Sequence, residues 1–310
     1  MKRLAAGFWP VVALVAWLLP DSLPILTQML IMGLFAVSLD LALGVAGILT
    51  IGHAAFFGMG AYVAGLLAVH GWSEPLSGLL IAAMVCACMG YLLAWLVVPG
   101  SDLSRLMITA AVGLLLGEAA RQFSSITGGA DGLLGMEVGP VFGRFEFDLF
   151  GLTAFLYSFV VVLILFYATR RVVKSPFGIS LAGIRQNPQR MLALGVPVAL
   201  RLRQAFAFSG ALAGVAGALL AQTTQFVGVD VLSFERSAEV LIMLVLGGAG
   251  HLTGALVGAV IYTLIQDQLA VFSPQYWMLG MGVLLVAVAL GGGGGLAGLL
   301  LRLSRTREYS

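Results

Sequence analysis

The residues able to do chemistry are few and lie far apart along the chain. Only 10% of the 310 residues are charged, against 60% hydrophobic, and there are three histidines and two cysteines. Asp40 stands inside an apolar run, where a charged side chain costs roughly 2.5–3.5 kcal/mol at a helix centre, so it should face protein rather than lipid. Thr50, His53, Phe56 and Phe57 follow in a glycine-rich stretch, and Glu118 precedes Arg121 by three residues, close enough to pair on a helix. These polar and aromatic groups suit the wall of a substrate route better than a catalytic centre. The sequence contains no G-x-x-x-x-G-K-[ST] loop, no HExxH and no G-x-S-x-G, and no Cys or His cluster offers a metal site. Cys86 and Cys88 sit two apart in an apolar run, a spacing that fits packing and no redox or metal motif. An intramembrane enzyme is poorly supported. A self-sufficient ion-coupled carrier would need ionisable residues deep in several spans, and only Asp40 is placed that way. An external motor is the better account of the energy.

The elements that must position these residues are membrane spans. Apolar runs of the roughly 20 residues needed to cross a bilayer recur along the chain, and no polar block is long enough for a soluble domain, so residues 1–310 read as a single transmembrane domain. The expected fold is an all-α polytopic bundle, since lipid leaves backbone groups no other partner. Spans are expected near 5–19, 25–43, 54–70, 76–98, 105–120, 149–169 and 204–222. The loop from Arg121 to Asp148 carries Asp131, Glu137, Glu146 and Asp148 and should lie outside, whereas Arg170, Arg171, Lys174, Arg185, Arg190, Arg201 and Arg203 mark residues 170–203 as cytoplasmic. With Lys2, Arg3, Arg302, Arg305 and Arg307 also inside, both termini are cytoplasmic. Parity then splits 237–266 at Gly247-Gly248-Ala249-Gly250-His251 into two short spans, and a last one near 276–291 brings the count to about ten.

Three segments break the apolar monotony. Gly44 to Gly60 suggests non-helical backbone at membrane depth, tolerated only where protein or a water-filled cavity covers it. The alternative is an ordinary interfacial turn with His53 solvated and Phe56 and Phe57 toward lipid. Gly210, Gly214 and Gly217, then Gly250, Gly254 and Gly258, repeat small residues at helical spacing, as close helix packing requires, and the second set also fits a break at a gate. In the basic loop, Asn187 can cap a helix that Pro188 opens and Gly195 closes. Arg190, Leu192 and Leu194 on that short helix could enter a partner's groove, or rest on anionic lipid.

An ordered series of motifs makes the chain resemble ATP-binding cassette (ABC) importer permeases for branched-chain amino acids, of the LivM type. It runs through Ser38-Leu39-Asp40-Leu41, Gly52-His53-Ala54-Ala55-Phe56-Phe57-Gly58-Met59-Gly60 and Glu118-Ala119-Ala120-Arg121. Thr127-Gly128-Gly129-Ala130-Asp131-Gly132, Ser175-Pro176-Phe177-Gly178 and Ile184-Arg185-Gln186-Asn187-Pro188 follow, then Phe208-Ser209-Gly210 and Val245-Leu246-Gly247-Gly248-Ala249-Gly250. The resemblance implies that the run from Ser175 to Val196 is the coupling loop that meets the ATPase. It also implies a second, homologous permease, two cytoplasmic ATPases that hold ATP and Mg, and a periplasmic substrate-binding protein. Membrane lipid is the remaining partner, with no nucleic acid and no cofactor in this chain. The bacterial inner membrane is the implied site, and branched-chain amino acids are the default substrates, with urea, short amides or aromatic acids as alternatives. Asp40 departs from the family's frequent Asn, and His251 and Ala255 from its Thr and Pro.

Overall fold

The computed structural model describes residues 2–148 and 151–272, together with 279, 280, 282, 283 and 286. Apart from those five, the expected span near 276–291 lies outside the described residues, as do Arg302, Arg305 and Arg307. The chain forms α1 (Lys2–Leu18), α2 (Leu23–Leu39), α3 (Ala54–Val69), α4 (Pro75–Val97), α5 (Asp102–Gln122), α6 (Ser124–Thr127), α7 (Leu152–Lys174), α8 (Pro176–Gln186), α9 (Pro188–Ala193), α10 (Val198–Thr224), α11 (Phe234–Gly247) and α12 (Leu252–Phe272). Two isolated bridges, Leu133 with Val227 and Val141 with Phe145, are the extent of β pairing among the described residues.

Six helical stretches are long and apolar enough to cross a membrane: Pro20–Val45, Pro75–Val97, Asp102–Gln122, Leu152–Lys174, Val198–Thr224 and Leu252–Phe272. Gly7–Leu18 and Ala54–Val69 are apolar but shorter. The expected spans fall on helices, with ends moved by a few residues. The largest shifts are at α7, which runs on through Arg170 and Arg171 to Lys174, and at α10, which starts at Val198 rather than 204. A basic residue at a helix C-terminus is favoured by the helix dipole, so the arginines that mark the end of the apolar run prolong α7 instead of ending it. Gly247 to His251 does split the last long segment, into α11 and α12.

Packing grades from centre to rim. In Pro20–Val45 89% of the most apolar window is buried, against 11% in α5, so α2 is a core helix and α5 lies at the edge. Helix α10 joins the two halves, packing on α2, α3 and α4. Its small residues allow this, because a side-chain carbon on Gly214 would meet Cys86, and one on Gly60 would meet the Gly214 backbone. At the N-terminus Trp9 is 5% exposed and packs edge-on against Phe159 and Phe166 of α7. Arg105 holds the end of α4 by donating to the carbonyls of Val97 and Val98, while it pairs with Asp102 at 3.1 Å.

Candidate functional site

The first break follows α2. Asp40–Val45 form a π-helical turn, Gly47 turns with φ +73°, and residues 46–53 run without regular structure to the start of α3. Non-helical backbone here needs protein partners, and it has them. The Ile48 N–H donates to the Ala42 carbonyl at 2.8 Å, that of Ile51 to Thr109 Oγ1 at 3.3 Å, and that of Ala54 to Ser237 Oγ at 3.0 Å. Gly52 abuts the backbone carbonyl of Thr109 so closely that no side chain fits.

His53 is 1% exposed. Its Nε2 lies 2.9 Å from Ser38 Oγ, whose single proton goes to the Phe35 carbonyl at 2.6 Å. The Ser38 hydroxyl therefore accepts, which places the imidazole proton on Nε2 and leaves Nδ1 bare and without a partner. Phe35 stacks on the ring with centroids 5.7 Å apart, and Phe56 meets it edge-on at 5.6 Å. Phe56 and Phe57 are 2% and 0% exposed, so the lipid-facing alternative for them is excluded, and so is a solvated His53. Thr50 is also buried, its hydroxyl unpartnered.

The second break lies between α11 and α12, where Gly248 and Gly250 take φ of +91° and +87°. The Gly250 N–H donates to Asp40 Oδ1 at 2.5 Å, and the Arg185 guanidinium donates to the carbonyl of Gly44. Gly44 and Gly250 touch: a side-chain carbon on Gly44 would lie 2.5 Å from the Gly250 nitrogen and would strike the Asp40 carboxylate. On the other side Gly47 packs against the Arg185 stem. Asp40 expected on the pathway, Arg185 expected at the coupling surface and Gly250 expected at a gate thus meet at one junction. Gly254 and Gly258 let α12 lie against the backbone of α11, Gly258 standing beside Met243 and Gly247. Gly210 serves similar packing against Phe56 and Cys86.

The basic loop folds as its residues suggest. Asn187 Oδ1 accepts the Arg190 N–H at 3.0 Å, Pro188 opens α9, and Gly195 follows with φ +80°. Leu192 and Leu194 are 58% and 69% exposed, and Arg190 is exposed beside them. Arg185 is exposed as well, but its guanidinium also bonds the carbonyl of the buried Gly44, making α8 the arm between α9 and the junction.

Glu118 does not join the other expected pathway residues. It is exposed on α5 and accepts from Gln122 at 3.3 Å, and among the described residues the three ion pairs do not include Glu118 with Arg121. A side chain one full turn on, rather than three residues on, takes the carboxylate. A small void beside Gly52, Phe56, Thr109 and Phe206, about 10 Å³, has room for one water and no amino acid.

One polar group escaped the reading of the sequence. Arg236 bonds Glu239 at 2.9 Å and Asp230 at 3.1 Å. The signal was present, because Asp230, Glu235, Arg236 and Glu239 are the charged residues between Arg203 and Asp267, three of them in the connection before the span expected from 237 and Glu239 just inside it.

Six span-length apolar stretches and an almost wholly helical chain define a multi-pass helical membrane protein. The chain belongs to the family of the branched-chain amino acid transport system permease component, whose model matches residues 22–289. It is similar to the high-affinity branched-chain amino acid transport system permease protein LivM of Salmonella typhimurium, 27% identical over 291 residues that cover 87% of this chain and 68% of the relative. LivM of Escherichia coli is 27% identical over 289 residues, 86% of this chain and 67% of the relative. The probable branched-chain amino acid transport permease protein LivH of Methanocaldococcus jannaschii is 32% identical over 216 residues, 66% of this chain and 65% of the relative. No solved structure matches the chain.

Proposed function

We propose that this chain is one translocation subunit of an ABC importer in the bacterial inner membrane, moving branched-chain or other hydrophobic amino acids by alternating access. It crosses the membrane about ten times with both termini cytoplasmic, and residues 170–203 form the coupling loop within a single membrane domain. The partners are a homologous permease, two ATPases that bind ATP and Mg, and a periplasmic binding protein. The observation that carries this reading is the junction at Gly44 and Gly250. A surface helix with exposed Leu192 and Leu194 is joined through α8 to Arg185, and Arg185 reaches the backbone where two helix breaks meet. Displacement of α9 by a docked ATPase is thereby delivered to the π-turn of α2 and to the turn between α11 and α12. A ligand or partner shifts a two-state element only as far as it binds the two states differently, and this short mechanical path gives the ATPase that purchase.

The test is co-purification. A tagged chain should bring down an ATPase subunit, and Arg190→Glu with Leu194→Glu should abolish this while the membrane domain keeps its thermal melting point. Association that survives both changes sinks the docking assignment.

A further inference from the structure

Half of the Asp40 carboxylate is unused. Oδ1 accepts the Gly250 N–H at 2.5 Å, whereas Oδ2 is buried without a partner, in a residue that is 0% exposed. A buried carboxylate oxygen that lacks a donor is costly, and a hydrogen-bonded cation offsets that cost best. One is close by. The Arg185 guanidinium donates to the carbonyl of Gly44, and Gly44 lies so near Asp40 that a side-chain carbon there would strike Oδ1 and Cγ. Yet the three ion pairs among the described residues include neither Asp40 nor Arg185. Acid and base flank one glycine without meeting.

Glycine keeps the ground between them clear. A side-chain carbon on Gly250 would stand 3.5 Å from both Arg185 Nη1 and the Gly44 carbonyl oxygen, and one on Gly47 would stand 3.0 Å from Arg185 Cγ. The backbone beneath has a second arrangement open to it. The Ala46 N–H bonds the Leu41 carbonyl, five residues back, and the Ile48 N–H reaches past Gly44 to Ala42, so the π-turn leaves the Gly44 carbonyl to Arg185. In an α-helical turn Ala46 would bond Ala42 and Ile48 would bond Gly44, each four residues back. Gly47, at φ +73°, is the residue that must rotate for this, and glycine does so at no steric cost.

We propose that Asp40 and Arg185 are positioning residues for alternating access. When α9 is pushed, the guanidinium leaves the Gly44 carbonyl for Asp40 Oδ2, and the π-turn tightens to an α-turn as Ile48 takes the vacated place. The carbonyl keeps a donor in both arrangements, and the carboxylate gains one in the second. Met191 of α9 stands against Gly183 of α8, which carries the push to Arg185 two residues on. The inference rests on the importer reading above, and adds that the state favoured by ATP in the docked ATPases is the one with the ion pair closed.

The test uses the assembled complex in lipid nanodiscs, with the ATPase co-purified, and reads the ATP concentration at which hydrolysis is half-maximal. ATP binds to another subunit, so a merely local structural role of either residue leaves this value alone. Losing a contact that exists only in the ATP-favoured state weakens apparent ATP binding by linkage, so Asp40→Asn and Arg185→Gln should each raise the half-maximal concentration about tenfold. The double variant should raise it no further, because either change alone removes the pair. Arg185→Lys keeps the charge and should recover part of the loss. Asp40→Asn retains an oxygen for the Gly250 N–H, and should it still be recovered poorly, the two Arg185 variants, at an exposed residue, carry the test. Unchanged half-maximal ATP in the single variants, a double variant that sums their effects, or no recovery with Lys overturns the proposal. An effect of Asp40→Asn with Arg185→Gln silent overturns it too, since the free oxygen then serves another group. Failure of any ATPase to co-purify with the unaltered chain would instead count against the importer reading.

Discussion

The breaks at Gly52-His53 and Gly250-His251 share a dipeptide and share the task of reversing the chain between apolar helices, but they are held in different ways. At the first, hydrogen bonds come from α5 and α11, His53 is sealed against Phe35 and Ser38, and Gly52 is wedged against a backbone carbonyl. At the second, His251 is half-buried and contributes its backbone carbonyl to Gly254 and Ala255, and the turn is tied to the rest of the bundle by Asp40. The first is fixed by steric contact and many small bonds. The second is held by one bond to a side chain that itself sits in a widened helical turn, which makes it the part able to move.

The comparison can be broken in three ways, of decreasing effect. Gly52→Ala drives a methyl into the Thr109 carbonyl, where neither backbone can give way, and should cost upward of about 3 kcal/mol, read as loss of folded protein in detergent melting. Gly250→Ala meets its nearest neighbours at 3.5 Å and pays only for a left-handed backbone, about 1–2 kcal/mol. Equal losses for the two would end the distinction between a fixed and a movable break.

Asp40→Leu removes the acceptor of the Gly250 N–H and should destabilise by about 1–3 kcal/mol, whereas Asp40→Asn keeps an acceptor oxygen and should recover most of that loss. Failure of Asn to rescue would show that the charge, rather than the hydrogen bond, holds the turn.

The smallest effect is expected at Asp148, outside the spans, whose carboxylate accepts from the N–H groups of Thr153 and Leu152. Those bonds hold its pKa below the ordinary carboxylate range, the bond from Thr153 being the larger cause. A lowered pKa means the cap contributes above the usual carboxylate pKa and is lost as pH falls through the lowered value. Asp148→Ala should therefore loosen the first turn of α7 by at most about 1 kcal/mol at neutral pH, seen as faster amide exchange, and should have no effect once the wild-type carboxylate is protonated.

Much of this was legible in the residues themselves. Apolar runs near span length announce helices because lipid offers the backbone no other partner. Gly247 to Gly250 announced the split between α11 and α12, and Asn187, Pro188 and Gly195 announced α9, since caps and turns depend on a few neighbouring residues. What the sequence could not contain was the pairing. Gly250 finds Asp40 across 210 positions and Arg185 finds Gly44 across 141, distances at which no local propensity acts. Glu118 and Glu239 look alike as acids on apolar helices, and only packing gives Glu239 an arginine, Arg236, while Glu118 takes Gln122. Local chemistry determined which segments would be helical and where they would stop, and tertiary contact decided which interruptions meet, because burial and long-range hydrogen bonds belong to the assembled bundle and to no single stretch of it.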